Sequence, residues 1–274
     1  MPAAIHVWAP GIRQGSGGIQ AFSRAYVRAI ADGFPGHRVT VLVKNDDIDQ
    51  DDPLRSLPNL SFHVCSSSRG PLRMLAFAAK GIWLGLRERP VCVVSTHLHF
   101  LPVMSLVRLL TGARILSVLH GIDLWYLQGW LRRRALRHAD HLFAVSGFTR
   151  SVAINDFSLR PEQVSVVPNT FDEQSFQPGP KPDYLLRRHE LSADQPVLLT
   201  IGRLSPGDRL KGHLQVLVAL ARLAPRHPRA RYVIGGFGPD LPYLKEAVAG
   251  LGLQDRVIFA GRIATDELAD YYRL

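Results

Sequence analysis

The chain has 274 residues and a net charge of +10, with 46% hydrophobic and 20% charged residues; this excludes a disordered chain and allows one large or two ordinary globular domains. The basic balance suits nucleic acid, an acidic substrate or an anionic membrane face, without choosing among them. Cys65 and Cys92 stand far apart with no Cys-x-x-Cys, which indicates neither a zinc site nor a disulfide framework and fits a reducing cytoplasm.

Met1-Pro2-Ala3 lacks the basic and apolar regions of a leader and runs into a short apolar stretch, Ala4 to Ala9. A loop with Gly15, Gly17 and Gly18 follows. Apolar residues at 19, 22, 26, 27 and 30 then have the spacing of an amphipathic helix, and Val39 to Val43 reads as a strand. This is a βαβ unit. Its glycines lack the G-x-G-x-x-G spacing and no acidic residue closes the second strand, so a nicotinamide cofactor is rejected. The glycines serve either a tight turn or a ligand loop. Asn45 to Asp52 holds five aspartates. Asp47-Ile48-Asp49 has the form of a metal-binding Asp-x-Asp, but the charge density predicts a solvated acidic loop.

Further strands are predicted at 60–64, 91–95, 114–119, 142–145 and 164–167, and helices at 72–86 and 101–110. Val91 to Val107 comes nearest to a membrane span, yet it is short and contains Ser95, Thr96 and Pro102, so it reads as a strand and a helix. Thr96-His97-Leu98-His99 ends one strand. Two histidines two apart could bind metal, but no third ligand type stands nearby and polar lining of a cleft is preferred. His120-Gly121-Ile122-Asp123 ends the next strand. Trp125 to His138 combines Trp125, Tyr126 and Trp130 with Arg132, Arg133, Arg134 and Arg137. It is either an interface with anionic lipid or a surface helix whose aromatic side packs inward.

Pro178, Gly179, Pro180 and Pro182 mark 171–195 as a linker. Pro196 to Ile201 then reads as a fully buried strand. It leads through Gly202-Arg203-Leu204-Ser205-Pro206-Gly207-Asp208-Arg209-Leu210-Lys211-Gly212 into helical spacing over 213–223. A loop at the carboxyl end of a strand is where open α/β sheets bind ligands. Glycines, two or three cations and a helix N-terminus suit a diphosphate there. Strands at 231–234 and 256–259 flank a helix at 241–250, with Gly235-Gly236-Phe237-Gly238-Pro239 and Gly261-Arg262 after the strands. Thr265 is the expected N-cap of a last helix. Three strands with no return helix predict that the natural protein continues past Leu274.

Several motifs resemble, in order and over nearly the whole chain, those of the retaining GT-B glycosyltransferases of family 4. They are Gly17-Gly18, His97 and His99, His120-Gly121-x-Asp123, Val145-Ser146, Val167-Pro168-Asn169, Gly202-Arg203-Leu204…Lys211-Gly212, Gly236-x-Gly238-Pro239 and Val257-x-Phe259-x-Gly261. The resemblance implies an α/β fold of two Rossmann-like domains facing across a cleft. The acceptor domain would span 1–170 and an incomplete donor domain 196–274. Arg203 and Lys211 would bind the donor diphosphate, with Gly17 and Gly18 approaching the same phosphates. His120 would be the catalytic residue beside the donor sugar. His97, His99, Asp123, Gly236, Gly238 and Arg262 would line the donor or acceptor pocket. Retention of configuration and the absence of a metal or other cofactor come from the resemblance alone.

The Arg203–Lys211 loop looks like that of bacterial mannosyltransferases. The expected donor is therefore GDP-mannose and the acceptor a glycan or polyprenyl-diphosphate-linked glycan. The expected location is cytoplasmic and peripheral on the inner membrane face, with an anionic membrane surface as a partner and no nucleic acid. The family's paired glutamates, seven residues apart, would lie beyond Leu274, so weak donor binding and little turnover are expected of residues 1–274. The rival readings are a nucleotide-sugar 2-epimerase of the same architecture, a basic non-catalytic nucleic-acid-binding protein and a scaffold without activity.

Overall fold

A computed structural model describes residues 3–13, 17–65, 70–171 and 173–274. They form two compact units, Met1–Thr170 and Phe171–Leu274. Gly15 of the expected glycine loop lies outside the described residues.

The first unit runs β1 (Ala4–Ala9), α1 (Gly18–Gly33), β2 (Arg38–Val43), β3 (Leu60–Val64), α2 (Pro71–Glu88), β4 (Cys92–Ser95), α3 (Leu101–Thr111), β5 (Arg114–Leu119), α4 (Ile122–Trp125), α5 (Trp130–Arg137), β6 (His141–Ala144), α6 (Gly147–Phe157) and β7 (Val164–Val166). Its sheet is parallel, in the order β3-β2-β1-β4-β5-β6-β7. The strands are nearly continuous apolar runs because helices cover both faces; β1 is buried at every position. Val27 of α1 packs with Ile5, Val39 and Val41 on one face. On the other face, Phe77 and Leu84 of α2 pack with Trp8, Met104 and Leu136. Trp8 meets Phe77 edge-on at 5.4 Å, and Phe77 stacks on Phe100 at 4.4 Å. Gly81 makes room for this, since a Cβ there would lie 2.5 Å from the Trp8 ring. The chain leaves β1 in one direction and β4 in the other, so the loops after these neighbouring strands flank a topological switch point.

The second unit contains α7 (Asp183–Arg188), β8 (Val197–Ile201), α8 (His213–Leu223), β9 (Arg231–Gly235), α9 (Leu241–Gly250), β10 (Val257–Gly261) and α10 (Leu268–Tyr272). Its parallel sheet has the order β10-β9-β8. The α8–α9 side buries Leu217, Leu220, Tyr232, Leu244 and Val248. The opposite side buries Leu185 of α7, Val233 and Tyr271.

Several sequence expectations change here. The stretch read as a linker contains α7, whose Leu185 is fully buried, because the prolines end before Asp183 and leave an amphipathic turn free to dock. His189 and the Tyr271 hydroxyl, 2.9 Å apart, and the 2.8 Å Arg188–Glu267 pair tie this region to α10. β8 is an edge strand and only partly buried, with β9 taking the central place. Thr265 precedes α10 in a turn and accepts the Leu268 N–H through its carbonyl; Glu267 occupies the N-cap position. The Trp125–His138 segment breaks at Gly129, at φ +91°, into α4 and α5. Tyr126 and Trp130 are exposed, so its inner side is made by Leu127, Ala135 and Leu136 and not by these aromatics.

The acidic loop is solvated at Asp47, Asp49 and Asp51, as expected, but it is anchored at other positions. Ile48 and Leu54 enter the core between the aspartates. Asp46 accepts the Ile12 N–H at 2.7 Å. Asp52 is buried, receives Arg24 through two nitrogens at 2.6 and 3.0 Å, and accepts the Leu54 N–H at 3.0 Å. Burial opposes its ionisation, but these hydrogen bonds outweigh that and hold its carboxyl below the usual aspartate range. Its stabilising effect is therefore complete above the unfolded-state value and is lost as pH falls through the lower folded-state value. Asp52→Ala is expected to cost about 2–3 kcal/mol near neutral pH. Urea unfolding at several pH values checks this, with the gap to the parent protein closing at the acid end.

Candidate active site

In the first unit the predicted residues gather at the carboxyl ends of β1, β4 and β5. Gly17, at φ +145°, is the N-cap of α1, and its carbonyl accepts the Ala21 N–H at 3.0 Å. A Cβ at Gly18 would meet nothing within 4 Å. The α1 entry is thus made of bare backbone, as close approach of an anion requires. Ser23 of α1 and Thr96 after β4 share a buried hydroxyl hydrogen bond of 2.8 Å, fixing one loop against the other.

His120 follows β5 and its Nε2 lies 2.9 Å from the Thr96 carbonyl oxygen. A carbonyl only accepts, so Nε2 carries the proton, and in neutral His120 Nδ1 is the ring acceptor. Phe22 meets this ring edge-on at 4.9 Å. Asp123 accepts the His120 backbone N–H at 3.0 Å, while its buried Oδ2 has no partner among the described residues. Burial raises its carboxyl above the ordinary value against the pull of His120. Asp123 therefore shapes the His120 turn.

His97 lies 4.5 Å from His99 and 6.5 Å from His120, ring centre to ring centre. Its Nδ1 accepts the His99 N–H at 3.3 Å, and Ser95 Oγ bonds both its N–H and its carbonyl. Burial, then the neighbouring His99, His120 and Lys44, push its pKa down to about 3. His97 is expected to stay neutral from pH 5 to 8. A lowered histidine value means that the unfolded chain takes up the proton first, so His97 weakens the fold as pH drops below about 6.5. Nitrogen-detected NMR of the imidazoles checks this; a His97 midpoint near 6 would contradict it.

In the second unit the loop after β8 is sewn to the loop after β9. Gly202 N–H donates to the Gly235 carbonyl at 2.9 Å, Leu204 N–H to Phe237 at 3.0 Å and Asp240 N–H to Leu204 at 3.0 Å. Gly236 and Gly238, at φ +136° and +152°, pass directly over the carbonyls of Gly202 and Leu204. Arg203 and Lys211 stand on this base. Arg203 Nε and Lys211 Nζ lie 3.3 and 3.7 Å from the two oxygens of Asp208, which Ser205 Oγ also reaches at 2.6 Å. The Ser205 bond comes first among the influences that hold Asp208 below the ordinary carboxylate range, with Lys211 and Arg203 adding to it. Arg209 is set apart. It makes two bonds to Asp240, of 2.7 and 3.1 Å, and lies over the Tyr243 ring at 4.3 Å. Arg262 stacks over Phe237 at 5.3 Å. The loop therefore offers two convergent cations, not three.

Sequence reading overlooked Asp208, Thr96 and Phe22. Asp208 was findable, because Ser205-x-x-Asp208 between two cations is a local turn pattern. Thr96 reaches His120 through its backbone carbonyl, and its hydroxyl partner Ser23 is 73 residues away, so neither contact leaves a local sequence signal.

Residues 16–175 match the family model described as Glycosyltransferase Family 4, and residues 185–274 match Glycosyl transferases group 1. The chain is 31% identical over 145 residues to a mannosylfructose-phosphate synthase of Agrobacterium fabrum, covering 50% of this chain and 31% of that protein. It is 30% identical over 171 residues to a GDP-mannose-dependent alpha-(1-6)-phosphatidylinositol monomannoside mannosyltransferase of Mycobacterium tuberculosis, covering 61% and 43%. It thus spans less than half the length of these relatives. A sucrose-phosphate synthase structure from Thermosynechococcus elongatus superposes with a TM-score of 0.72 at 18% identity, over 99% of this chain and 73% of that one. A glycosyltransferase from Rickettsia africae gives 0.70 at 17%, over 99% and 71%. These likenesses show the fold, two Rossmann-like α/β units of the GT-B type. With its sheet order, its glycine-based loops and a family match across residues 16–175, the chain belongs to Glycosyltransferase Family 4.

Proposed function

We propose that the protein transfers a sugar from a nucleoside diphosphate donor, GDP-mannose in particular, to a glycan or lipid-linked acceptor with retention of configuration. The convergence of Arg203 and Lys211 on one small anion, the Asp208 carboxylate, carries this reading. Two cations that share a carboxylate can share a phosphate. As the glycosidic bond breaks, negative charge grows on the oxygen leaving with the nucleoside diphosphate. Fixed cations there stabilise the transition state more than the ground state. His120, with its Nε2 proton committed to Thr96, keeps Nδ1 to accept a hydrogen bond from a donor-sugar hydroxyl.

Family membership supports glycosyl transfer, and the relatives' names support mannose and a lipid acceptor. The reading invokes no metal or other cofactor. It includes a peripheral location at the cytoplasmic membrane face, supported by exposed Tyr126 and Trp130 beside the arginines of α5. Among the described residues no helix is long and apolar enough to cross a membrane.

Incubation with radiolabelled GDP-mannose and a polyprenyl-linked glycan tests the assignment. Slow, acceptor-dependent mannose incorporation, with the anomeric configuration kept, is expected. Conversion of UDP-GlcNAc without any acceptor would favour the epimerase instead.

A further inference from the structure

Helix α2 has two apolar faces where the fold requires one. The inner face, with Phe77, Gly81, Leu84 and Gly85, is buried. The outer face carries Leu72, Leu75, Trp83 and Leu86, exposed by 66%, 65%, 50% and 50%. With Ala79 between them these positions step by three and four residues, which places them in one stripe along the helix. Arg73, Lys80 and Arg87, seven residues apart, run along one border of that stripe. The Arg87 guanidinium lies over the Trp83 ring at 5.1 Å. The only acid of the helix, Glu88, is turned inward, where Thr40 Oγ1 donates to it at 2.7 Å and His6 Nε2 lies at 2.9 Å.

The neighbouring helix extends this surface. Gly85 of α2 sits against Val107 of α3, and α3 exposes Leu106, Leu109 and Leu110 on its outer side. Arg108 of α3 bonds the His138 carbonyl at 2.7 Å just past the basic helix α5.

We propose that the outer face of α2 docks on an anionic bilayer, with Leu72, Leu75 and Trp83 entering the boundary between headgroups and acyl chains. Lys80 and Arg87 then lie at the level of the lipid phosphates. An apolar stripe edged by cations is the arrangement of an interfacial helix. It extends, and rests on, the membrane-face reading given above. Charge complementarity selects the occupant. A second copy of this chain, at net charge +10, would set like-charged rows against each other. A nucleic acid would use the cations and leave the leucines in water.

Co-sedimentation of the full chain with vesicles of phosphatidylcholine, with and without phosphatidylglycerol, tests the proposal. Binding that needs the anionic lipid and weakens with salt is expected. Leu72→Ser/Leu75→Ser/Trp83→Ser and Lys80→Ser/Arg87→Ser should each weaken it by roughly tenfold or more. In the unmutated chain brominated lipid should quench tryptophan emission, and Trp83→Phe should lower that quenching measurably, with exposed Trp125 and Trp130 carrying the remainder. Absence of binding to anionic vesicles, binding unchanged in both multiple variants, or quenching unaffected by Trp83→Phe would overturn the proposal. Titration of the same samples with GDP reads the Arg203–Lys211 clamp separately, so loss of one reading is distinguishable from loss of the other.

Discussion

Gly236→Ala will destabilise the second unit by roughly 3–5 kcal/mol and dismantle the loop that carries Arg203 and Lys211 with it. A Cβ at this position would overlap the Gly202 carbonyl oxygen and lie 2.9 Å from its carbon. Both obstacles are backbone, so no side chain can swing away. The φ of +136° adds strain for any residue with a Cβ. Relief would pull the loop after β9 off the loop after β8, breaking the bonds from Gly202 to Gly235 and from Leu204 to Phe237. Gly238→Ala should behave alike, because its Cβ would strike the Leu204 carbonyl. Gly207→Ala is the control: a Cβ there meets nothing within 4 Å, and the change should stay within about 0.5 kcal/mol. Denaturant unfolding of the three variants checks the ranking.

Arg203→Ala and Lys211→Ala are each expected to lower the transfer rate by about 10²–10³-fold, the range for removing one preorganised group that faces developing charge. The double variant should lose less than the product of the two, because both cations address one anion and their effects couple. Arg209→Ala separates a specific clamp from general basicity. Its charge is equal, but two bonds to Asp240 and the Tyr243 ring hold it aside, so transfer should be nearly unchanged. An equal loss for all three arginine and lysine variants would mean that the loop acts only as a diffuse positive patch. Initial rates at saturating donor distinguish the cases.

The parallel strands were legible because a strand buried on both faces is a nearly continuous apolar run, as in Ala4–Ala9, broken only by His6, and in 115–119, broken only by Ser117. The loops that carry the site were legible because glycine must appear where backbones cross, as at Gly236 over Gly202. Partnerships between distant positions were not legible. Asp240 removes Arg209 from the clamp from the far end of another loop, and nothing near Arg209 reveals it. The acidic loop was legible at its solvated Asp47 and Asp49, and its anchors were missed for a similar reason. Counting aspartates ignores that Arg24, a helix residue, neutralises Asp52 while Ile48 anchors the loop in the core. Helix α7 escaped because the prolines before it dominate the local pattern, whereas its stability comes from Val233 and Tyr271 far along the chain. The outer stripe of α2 was hidden within a helix that is apolar on both sides, and only burial separates the two faces.

The claim that Arg203 and Lys211 hold the donor's diphosphate is tested most directly by calorimetric titration of the chain with inorganic pyrophosphate, GDP and UDP, beside Arg203→Ala/Lys211→Ala. The account predicts that pyrophosphate and GDP bind, that the affinity falls as salt rises, and that the double variant binds both at least about tenfold more weakly while keeping its fold. GDP and pyrophosphate binding of equal strength in the two proteins would contradict it.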